Sequence, residues 1–111
     1  MAVSVKRTNV AGLAERERVL RVLRERERSL RARGVTRLAL FGSTARGDMG
    51  PKSDVDLLIE IDPERRFGLF AFLDLKDDLA ALLGRPVDLA FADAMRPRLR
   101  TAVLEDAVEV F

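Results

Sequence analysis

The sequence predicts an α/β domain with a small mixed sheet of three to four strands and helices packed on one face. Short apolar runs alternate with longer amphipathic segments, and glycine or proline stands at most of the boundaries between them. The chain has 111 residues with 48% hydrophobic content, which suits one compact domain. We expect a flexible N-terminal arm over residues 1–12 and the domain over residues 13–111.

The individual elements follow from periodicity and from the residues that end each segment. A long amphipathic helix is predicted over residues 13–33, because Gly34 is a suitable C-cap. The same criteria predict strands at 35–41, 55–61, 87–91 and, as a short edge strand, 108–111. Further helices are predicted near 43–46, over 67–83 and from about Pro97 to Ala107.

The apolar positions of the 67–83 helix predict which of its faces is buried. The predicted buried stripe consists of Leu69, Phe72, Leu73, Leu79 and Leu83. Phe67 and Phe72 are interpreted mainly as core residues. Phe70 falls off the stripe, which makes it a candidate for contact with a partner.

Composition excludes several classes of site. The chain has no cysteine and no histidine, so disulfides, thiolate metal sites and imidazole chemistry are excluded. A metal would have to bind oxygen ligands, as magnesium, manganese and calcium do. Residues 1–13 lack the apolar segment of a signal peptide, and no run is long enough to span a bilayer. We therefore expect a cytoplasmic protein without membrane attachment.

The charge pattern does not favour nucleic-acid binding. The formal net charge is only +2, and the arginines of the first predicted helix are interrupted by glutamates. Glu17 with Arg21 and Glu27 with Arg31 have the spacing of stabilising pairs within a helix. A solvated, self-paired face is the favoured interpretation of this helix, and an RNA-binding stripe is the alternative.

Three aspartates lie on, or directly before, two of the predicted strands. Asp54 and Asp56 would share one strand face while Val55 and Leu57 share the other, and Asp88 would project away from the core in the same manner. If the strands are neighbours, the carboxylates converge. Two carboxylates about 4 Å apart repel by roughly 4 kcal/mol at an effective dielectric constant near 20, which a divalent cation would offset. The alternative is that these aspartates are merely solvated turn and strand-edge residues.

A glycine-serine turn precedes the aspartates along the chain. Gly42 and Ser43 follow a strand directly and can open a helix, so their backbone N–H groups could form a phosphate cradle. Neither the Walker loop nor the G-x-G-x-x-G dinucleotide pattern occurs in the chain. Kinase-type and Rossmann sites are therefore excluded.

The combined pattern is similar to a known signature. FGSTARGDMGPKSDVDLLIEI resembles the G-S-x-A-R-G…S-D-x-D-L signature of the DNA polymerase beta-like nucleotidyltransferases. The later RPVDLAF and MRPRLRTAVLEDAVEVF resemble the third-aspartate strand and closing segment of their smallest branch, the minimal nucleotidyltransferases (MNT). The resemblance covers roughly residues 35 to 111 and implies the polymerase beta-like nucleotidyltransferase fold.

The resemblance also implies roles for individual residues. Gly42 and Ser43 would bind the triphosphate of ATP, and Arg46 and Ser53 would assist in nucleotide binding. The catalytic and metal-binding residues would be Asp54, Asp56 and Asp88, holding two magnesium ions, with manganese as a substitute. Asp88 would hold the metal nearest the acceptor and assist deprotonation of its hydroxyl. The alternative for Arg46 is a surface residue that pairs with Asp48.

Finally, the resemblance implies a partner. MNT proteins commonly act with a HEPN-domain ribonuclease toxin, as antitoxins that transfer AMP to a toxin tyrosine, which implies a hetero-oligomer. The chain has no tyrosine, so it cannot modify a tyrosine of its own. Two alternatives stay open: a non-catalytic antitoxin that neutralises its partner by occlusion, and nucleotidyl transfer to RNA or a small molecule.

Overall fold

Helices and strands alternate along residues 10–111, which are the residues that the computed structural model describes. Their order is α1 (Val10–Arg24), α2 (Glu27–Ala32), β1 (Val35–Leu40), α3 (Gly42–Arg46), β2 (Val55–Ile61), α4 (Leu69–Leu83), β3 (Val87–Phe91), a 3₁₀ helix (Ala92–Ala94), α5 (Pro97–Asp106) and β4 (Val108–Glu109). The predicted bounds of β2 and β3 are confirmed, those of β1, α3 and α5 differ by one residue, and those of α4 and β4 differ by two.

The four strands form one mixed sheet in the order β3-β2-β1-β4. Strand β1 pairs antiparallel with β2 and with β4, whereas β2 and β3 run parallel. A parallel pair needs a crossover connection, and α4 provides it. The predicted α/β fold with a small mixed sheet is therefore confirmed.

The hydrophobic core lies between one face of the sheet and the helices α1, α2 and α4. The sheet contributes Leu38, Leu40, Val55, Leu57, Ile59, Val87 and Leu89, and the helices contribute Val19, Leu20, Leu23, Leu30, Leu75, Leu79 and Leu83. The opposite face carries the alternate residues of the strands, as the strand period requires. A cavity of about 200 Å³ on that face lies between α5 and strands β1 and β2. The prediction that the helices pack on one face is therefore wrong for α5, which lies against the opposite face. Within residues 10–111, no helix has both the length and the apolar composition needed to cross a bilayer.

The first predicted helix is wrong in two respects. Residues 10–12, predicted to belong to the arm, are helical, and the remainder of the predicted arm, residues 1–9, lies outside the described residues. The helix also breaks after Arg24: the N–H of Arg26 donates to the carbonyl of Leu23, a tighter three-residue spacing that ends α1 before α2 begins. No glycine or proline marks this break, so periodicity predicted a continuous helix.

The predicted buried stripe of α4 is wrong at Leu69 and Leu73. Leu69 is 68% exposed and Leu73 is 41% exposed, while Leu75, Leu79 and Leu83 are buried. Leu73 lies two residues, or about 200°, round the helix from Leu75, so both cannot face the sheet. The outward position of Phe70 is confirmed, since it is 81% exposed.

The other two phenylalanines of this region belong to the core, as predicted. Phe67 and Phe72 are partly buried and pack against the core cluster. Both meet Phe91 at the end of β3, with ring centroids 6.0 Å and 5.0 Å apart respectively. These aromatic contacts attach the start of α4 to the third strand.

An ion-pair network joins α1 to the end of α4 and the start of β3. The carboxylate of Glu15 accepts two hydrogen bonds from Arg18 at 2.7 Å and one from Arg85 at 2.6 Å. Arg18 also donates to the carbonyl of Leu83 at 2.7 Å, at the end of α4. The hydrogen bonds from Arg18 are the main cause that lowers the pKa of Glu15 from 4.5 to about 2.

This pKa shift predicts a pH-dependent contribution of Glu15 to stability. Because the folded-state pKa is depressed, the contribution is complete above pH 4.5 and is lost as the pH falls towards 2. We expect Glu15→Gln to lower the free energy of unfolding by on the order of 2 kcal/mol near pH 7, after a discount for solvent screening. Urea titrations followed by circular dichroism should show this difference shrinking below pH 4.5. A difference that does not change with pH would contradict the assignment.

Candidate active site

The turn between β1 and α3 requires a glycine at its apex. Gly42 is the first residue of α3 and has a φ of +64°, in the left-handed region. A Cβ atom at this position would lie 2.5 Å from Oδ2 of Asp56 and 3.3 Å from its Cγ. Gly42 therefore serves two purposes, since it permits the turn and leaves room for the Asp56 carboxylate.

Both backbone polar groups of Asp56 are held by the residues of this turn. The N–H of Asp56 donates to Oγ1 of Thr44 at 3.3 Å, and its carbonyl accepts a hydrogen bond from the N–H of Phe41 at 3.0 Å. Thr44 is completely buried and is the only buried polar residue among residues 10–111. Sequence reasoning missed Thr44, because its role depends on the neighbouring strand rather than on any local spacing.

We expect Thr44→Val to destabilise the protein by about 1 kcal/mol, the usual net contribution of one hydrogen bond. Valine has nearly the same shape as threonine but leaves the Asp56 amide without this acceptor. Thr44→Ser is the matched control, since it retains the hydroxyl and loses only a methyl group. Chemical denaturation measures both effects, and a larger loss for serine than for valine would show that packing, not the hydrogen bond, is what Thr44 contributes.

The three predicted aspartates lie on the face of the sheet opposite the core. Asp56 of β2 is the direct parallel partner of Asp88 of β3, and Asp54 precedes β2 by one residue. Burial raises the pKa of Asp56, and the charges of Asp88 and Asp54 raise it further. The predicted adjacency of the two strands is therefore confirmed, and the charges of Asp54 and Asp88 both act on Asp56.

This environment suits a divalent cation. A half-buried carboxylate with two acidic neighbours disfavours its own charge, and a cation would remove that penalty. Oxygen ligands from aspartates are what magnesium prefers. Within residues 10–111, no three acidic side chains already stand in a metal-binding arrangement, so binding would require them to turn towards the ion. Metal ligation by Asp54, Asp56 and Asp88 stays a prediction.

The other predicted site residues make contacts within the protein. Nε of Arg46 donates to Oδ2 of Asp48 at 3.0 Å, and both side chains are about half exposed. The charge of Arg46 also lowers the pKa of Asp56, in opposition to its acidic neighbours. Oγ of Ser53 accepts a hydrogen bond from the N–H of Gly50 at 2.8 Å, within the loop before Asp54. Their roles in nucleotide binding stay predictions.

Ser43 lies in the first turn of α3, beside Gly42. Its carbonyl accepts a hydrogen bond from the N–H of Asp48 at 2.9 Å, which closes the short helix. The side chain is half-buried. The structure thus brings Gly42, Ser43 and Asp56 to one edge of the open sheet face, with Asp88 alongside.

Comparison with known proteins identifies the family of the chain. Residues 17–110 match the family of the nucleotidyltransferase domain. The protein adenylyltransferase MntA of Thermococcus cleftensis is 35% identical over 95 residues, which span 85% of this chain and 94% of the relative. The chain therefore belongs to the nucleotidyltransferase domain family. It is an enzyme of the nucleotidyltransferase class, as the resemblance of its sequence predicted.

Solved structures show the same fold. A candidate minimal nucleotidyltransferase is 40% identical to this chain, with a TM-score of 0.69 over 82% of this chain and 92% of the other. A complex of a tri-AMPylated HEPN toxin from Shewanella oneidensis with an MNT antitoxin contains a chain with a TM-score of 0.56. That likeness covers 90% of this chain and 71% of the other at 18% identity, and it concerns the fold alone.

Proposed function

We propose that the protein transfers AMP from ATP to a hydroxyl group of a partner protein, with a tyrosine of a HEPN ribonuclease toxin as the acceptor. The proposal depends chiefly on one observation, the pairing of Asp56 with Asp88 beside the turn at Gly42. The name of the Thermococcus relative supports adenylyl transfer to a protein, and the AMPylated HEPN toxin bound to an MNT antitoxin supports the acceptor. The acceptor tyrosine must belong to a partner, since this chain has none.

In this proposal, residues of the turn bind the triphosphate, and the aspartates hold the metal and assist deprotonation of the acceptor hydroxyl. Gly42 lets the phosphates approach the backbone closely, and Ser43 donates hydrogen bonds to them. Asp54 and Asp56 would hold magnesium, which when bound polarises the reacting phosphate and lowers the pKa of the attacking hydroxyl. Asp88 would complete the metal site, and its carboxylate would assist removal of the acceptor hydroxyl proton, because the chain has no histidine to do so.

Arg46 and Ser53 would contribute to nucleotide binding at the edge of this site. Arg46 is half exposed and pairs with the exposed carboxylate of Asp48, which is a weak interaction. If the guanidinium of Arg46 left Asp48 and bound a phosphate oxygen of the nucleotide, it would gain a stronger, charge-assisted contact. Ser53 accepts one hydrogen bond from the N–H of Gly50 in the loop, and its hydroxyl would donate a hydrogen bond to the nucleotide.

Labelled ATP tests this proposal directly. The protein is incubated with magnesium, ATP labelled in the α-phosphate, and a HEPN protein encoded beside it. We expect label on the HEPN protein, and none when the acceptor tyrosine is replaced by phenylalanine. Label that appears in RNA, or no label in the presence of a folded HEPN partner, would contradict protein adenylylation.

A second candidate function is neutralisation of the partner by occlusion. It is favoured by the exposed apolar side chains Leu69, Phe70 and Leu73 on α4, which offer a contact surface that needs no chemistry. The two functions differ in cells that express the toxin. If transfer of AMP is required, Asp56→Ala loses protection; if occlusion suffices, Asp56→Ala still protects.

A further inference from the structure

The side chain of Arg85 donates hydrogen bonds to the backbone of the loop that precedes Asp54. Its Nη1 donates to the carbonyl oxygens of Gly50 at 2.9 Å, Pro51 at 3.2 Å and Ser53 at 3.1 Å. The side chain is only 16% exposed. One guanidinium nitrogen thus contacts three of the four residues between Met49 and Asp54.

Arg85 also lies at the start of the strand that carries Asp88. It follows Gly84, the C-cap of α4, and comes three residues before Asp88. The next residue, Pro86, accepts a hydrogen bond from the N–H of Val55 at 2.9 Å, where β2 begins. Arg85 therefore connects the backbone before Asp54 with the backbone before Asp88.

The other side of the guanidinium is fixed by Glu15. Nε of Arg85 donates to Oε2 of Glu15 at 2.6 Å, and Glu15 is held in turn by two hydrogen bonds from Arg18. Because α1 is packed into the core, this ion pair gives the loop an anchor in the body of the fold. The planar guanidinium can donate hydrogen bonds to the carboxylate and to the carbonyls at the same time. The ammonium of a lysine is a single point charge and lacks this fork of donors.

We propose that Arg85 is a positioning residue that fixes Asp54 relative to Asp56 and Asp88. Loss of the guanidinium would release three carbonyls to solvent and allow the loop to move, so Asp54 would no longer have a fixed distance from the paired aspartates. This inference rests on the proposed function, since it concerns the geometry in which the three carboxylates receive metal and nucleotide. Arg85 touches none of the reacting groups in this scheme and acts only through the loop.

Two measurements on Arg85→Gln test the inference. The first is hydrogen exchange, in metal-free protein, of the amides of Gly50, Ser53 and Val55, each of which donates a hydrogen bond. The second is calorimetric binding of magnesium with the non-hydrolysable ATP analogue AMP-PNP. We expect exchange to become faster at Gly50 and Ser53, and binding to weaken by about tenfold or more, the usual effect of losing a residue that orients metal ligands.

Arg18→Gln is the matched control. It removes the other partner of Glu15 and the cap on Leu83, but it leaves the three loop carbonyls in contact with Arg85. We expect it to lower the melting temperature and to change loop exchange and AMP-PNP affinity much less than Arg85→Gln does. If Arg85→Gln does not fold, Arg85→Lys keeps a charge for Glu15 and loses the fork, and it is measured in the same two ways.

The outcomes separate this inference from the proposed function. Equal effects of Arg85→Gln and Arg18→Gln on loop exchange and on binding would overturn the positioning role and leave a structural one. Unchanged exchange at Gly50 and Ser53 in Arg85→Gln would overturn it as well. If the unaltered protein binds no magnesium–AMP-PNP, the proposed function fails, and the exchange data still decide whether Arg85 orders the loop.

Discussion

Replacement of Asp56 by asparagine is expected to slow nucleotidyl transfer by about a thousandfold, which corresponds to several kcal/mol of transition-state stabilisation by a bound metal. The asparagine would keep the size of the side chain and the backbone contacts with Thr44 and Phe41, so the fold is retained. What the variant would lose is the negative charge between Asp54 and Asp88. Single-turnover rates with labelled ATP measure the effect.

The same substitution is expected to stabilise the protein when no metal or nucleotide is bound. Burial and two acidic neighbours raise the pKa of Asp56, so the ionised carboxylate opposes folding. A raised carboxyl pKa costs nothing below the ordinary value of 3.8, and the penalty develops as the pH rises through the folded-state pKa. The gain from asparagine should therefore be present at neutral pH and disappear in acid.

Asp77→Asn is a suitable control, since it removes the same charge from an exposed position on α4. We expect it to leave both the rate and the pH dependence of unfolding unchanged. Loss of stability in Asp56→Asn at neutral pH would show that the carboxylate is already compensated in the free protein. An unchanged transfer rate would remove Asp56 from the catalytic residues.

Gly42→Ala is the second substitution with a large expected effect. The left-handed φ of +64° costs a non-glycine residue about 1–2 kcal/mol. The new methyl group would also displace the carboxylate of Asp56, because the Cβ position lies 2.5 Å from Oδ2. The Asp56 side chain can turn away from this contact, so the stability of the protein falls little further. A displacement of its carboxylate by about 1 Å can nevertheless lower the rate of nucleotidyl transfer about a hundredfold.

Gly84→Ala separates the effect of backbone strain from the effect of displacing the Asp56 carboxylate. Gly84 has nearly the same left-handed φ, +70°, but an added Cβ would meet no atom within 4 Å. We expect both alanine variants to lose similar stability in chemical denaturation, and only Gly42→Ala to lose activity. Equal activity of the two variants would show that the space above Gly42 is not used by the site.

The sequence predicted those parts of the fold that depend on local patterns. Strands β2 and β3 have their predicted bounds, because an apolar residue at every second position and flanking glycine or proline define both. The alternation also predicted that Asp56 and Asp88 face away from the core. It could not decide whether the two strands are neighbours, which depends on the path of α4 across the sheet.

The features that the sequence did not predict depend on tertiary contacts. Nothing in the sequence distinguishes Thr44 within its predicted short helix, and only the structure shows that its buried hydroxyl accepts a hydrogen bond from the N–H of Asp56. The sequence analysis assigned no role to Arg85, because its loop contacts lie more than thirty residues away in sequence. The exposed Leu69 and Leu73 follow from which side of α4 faces the sheet, and apolar character alone cannot tell the sides apart.

The parallel pairing of Asp56 with Asp88 means that the spacing between two neighbouring strands sets the distance between the backbones of these two residues. Neighbouring strands lie about 4.8 Å apart whatever their side chains, because backbone hydrogen bonds set that distance. The separation of the two Cα atoms is therefore a property of the main chain, and loop movement cannot adjust it. Glutamate at either position would carry its charge about 1.5 Å further out with no backbone freedom to compensate, so side-chain length should matter here as much as charge.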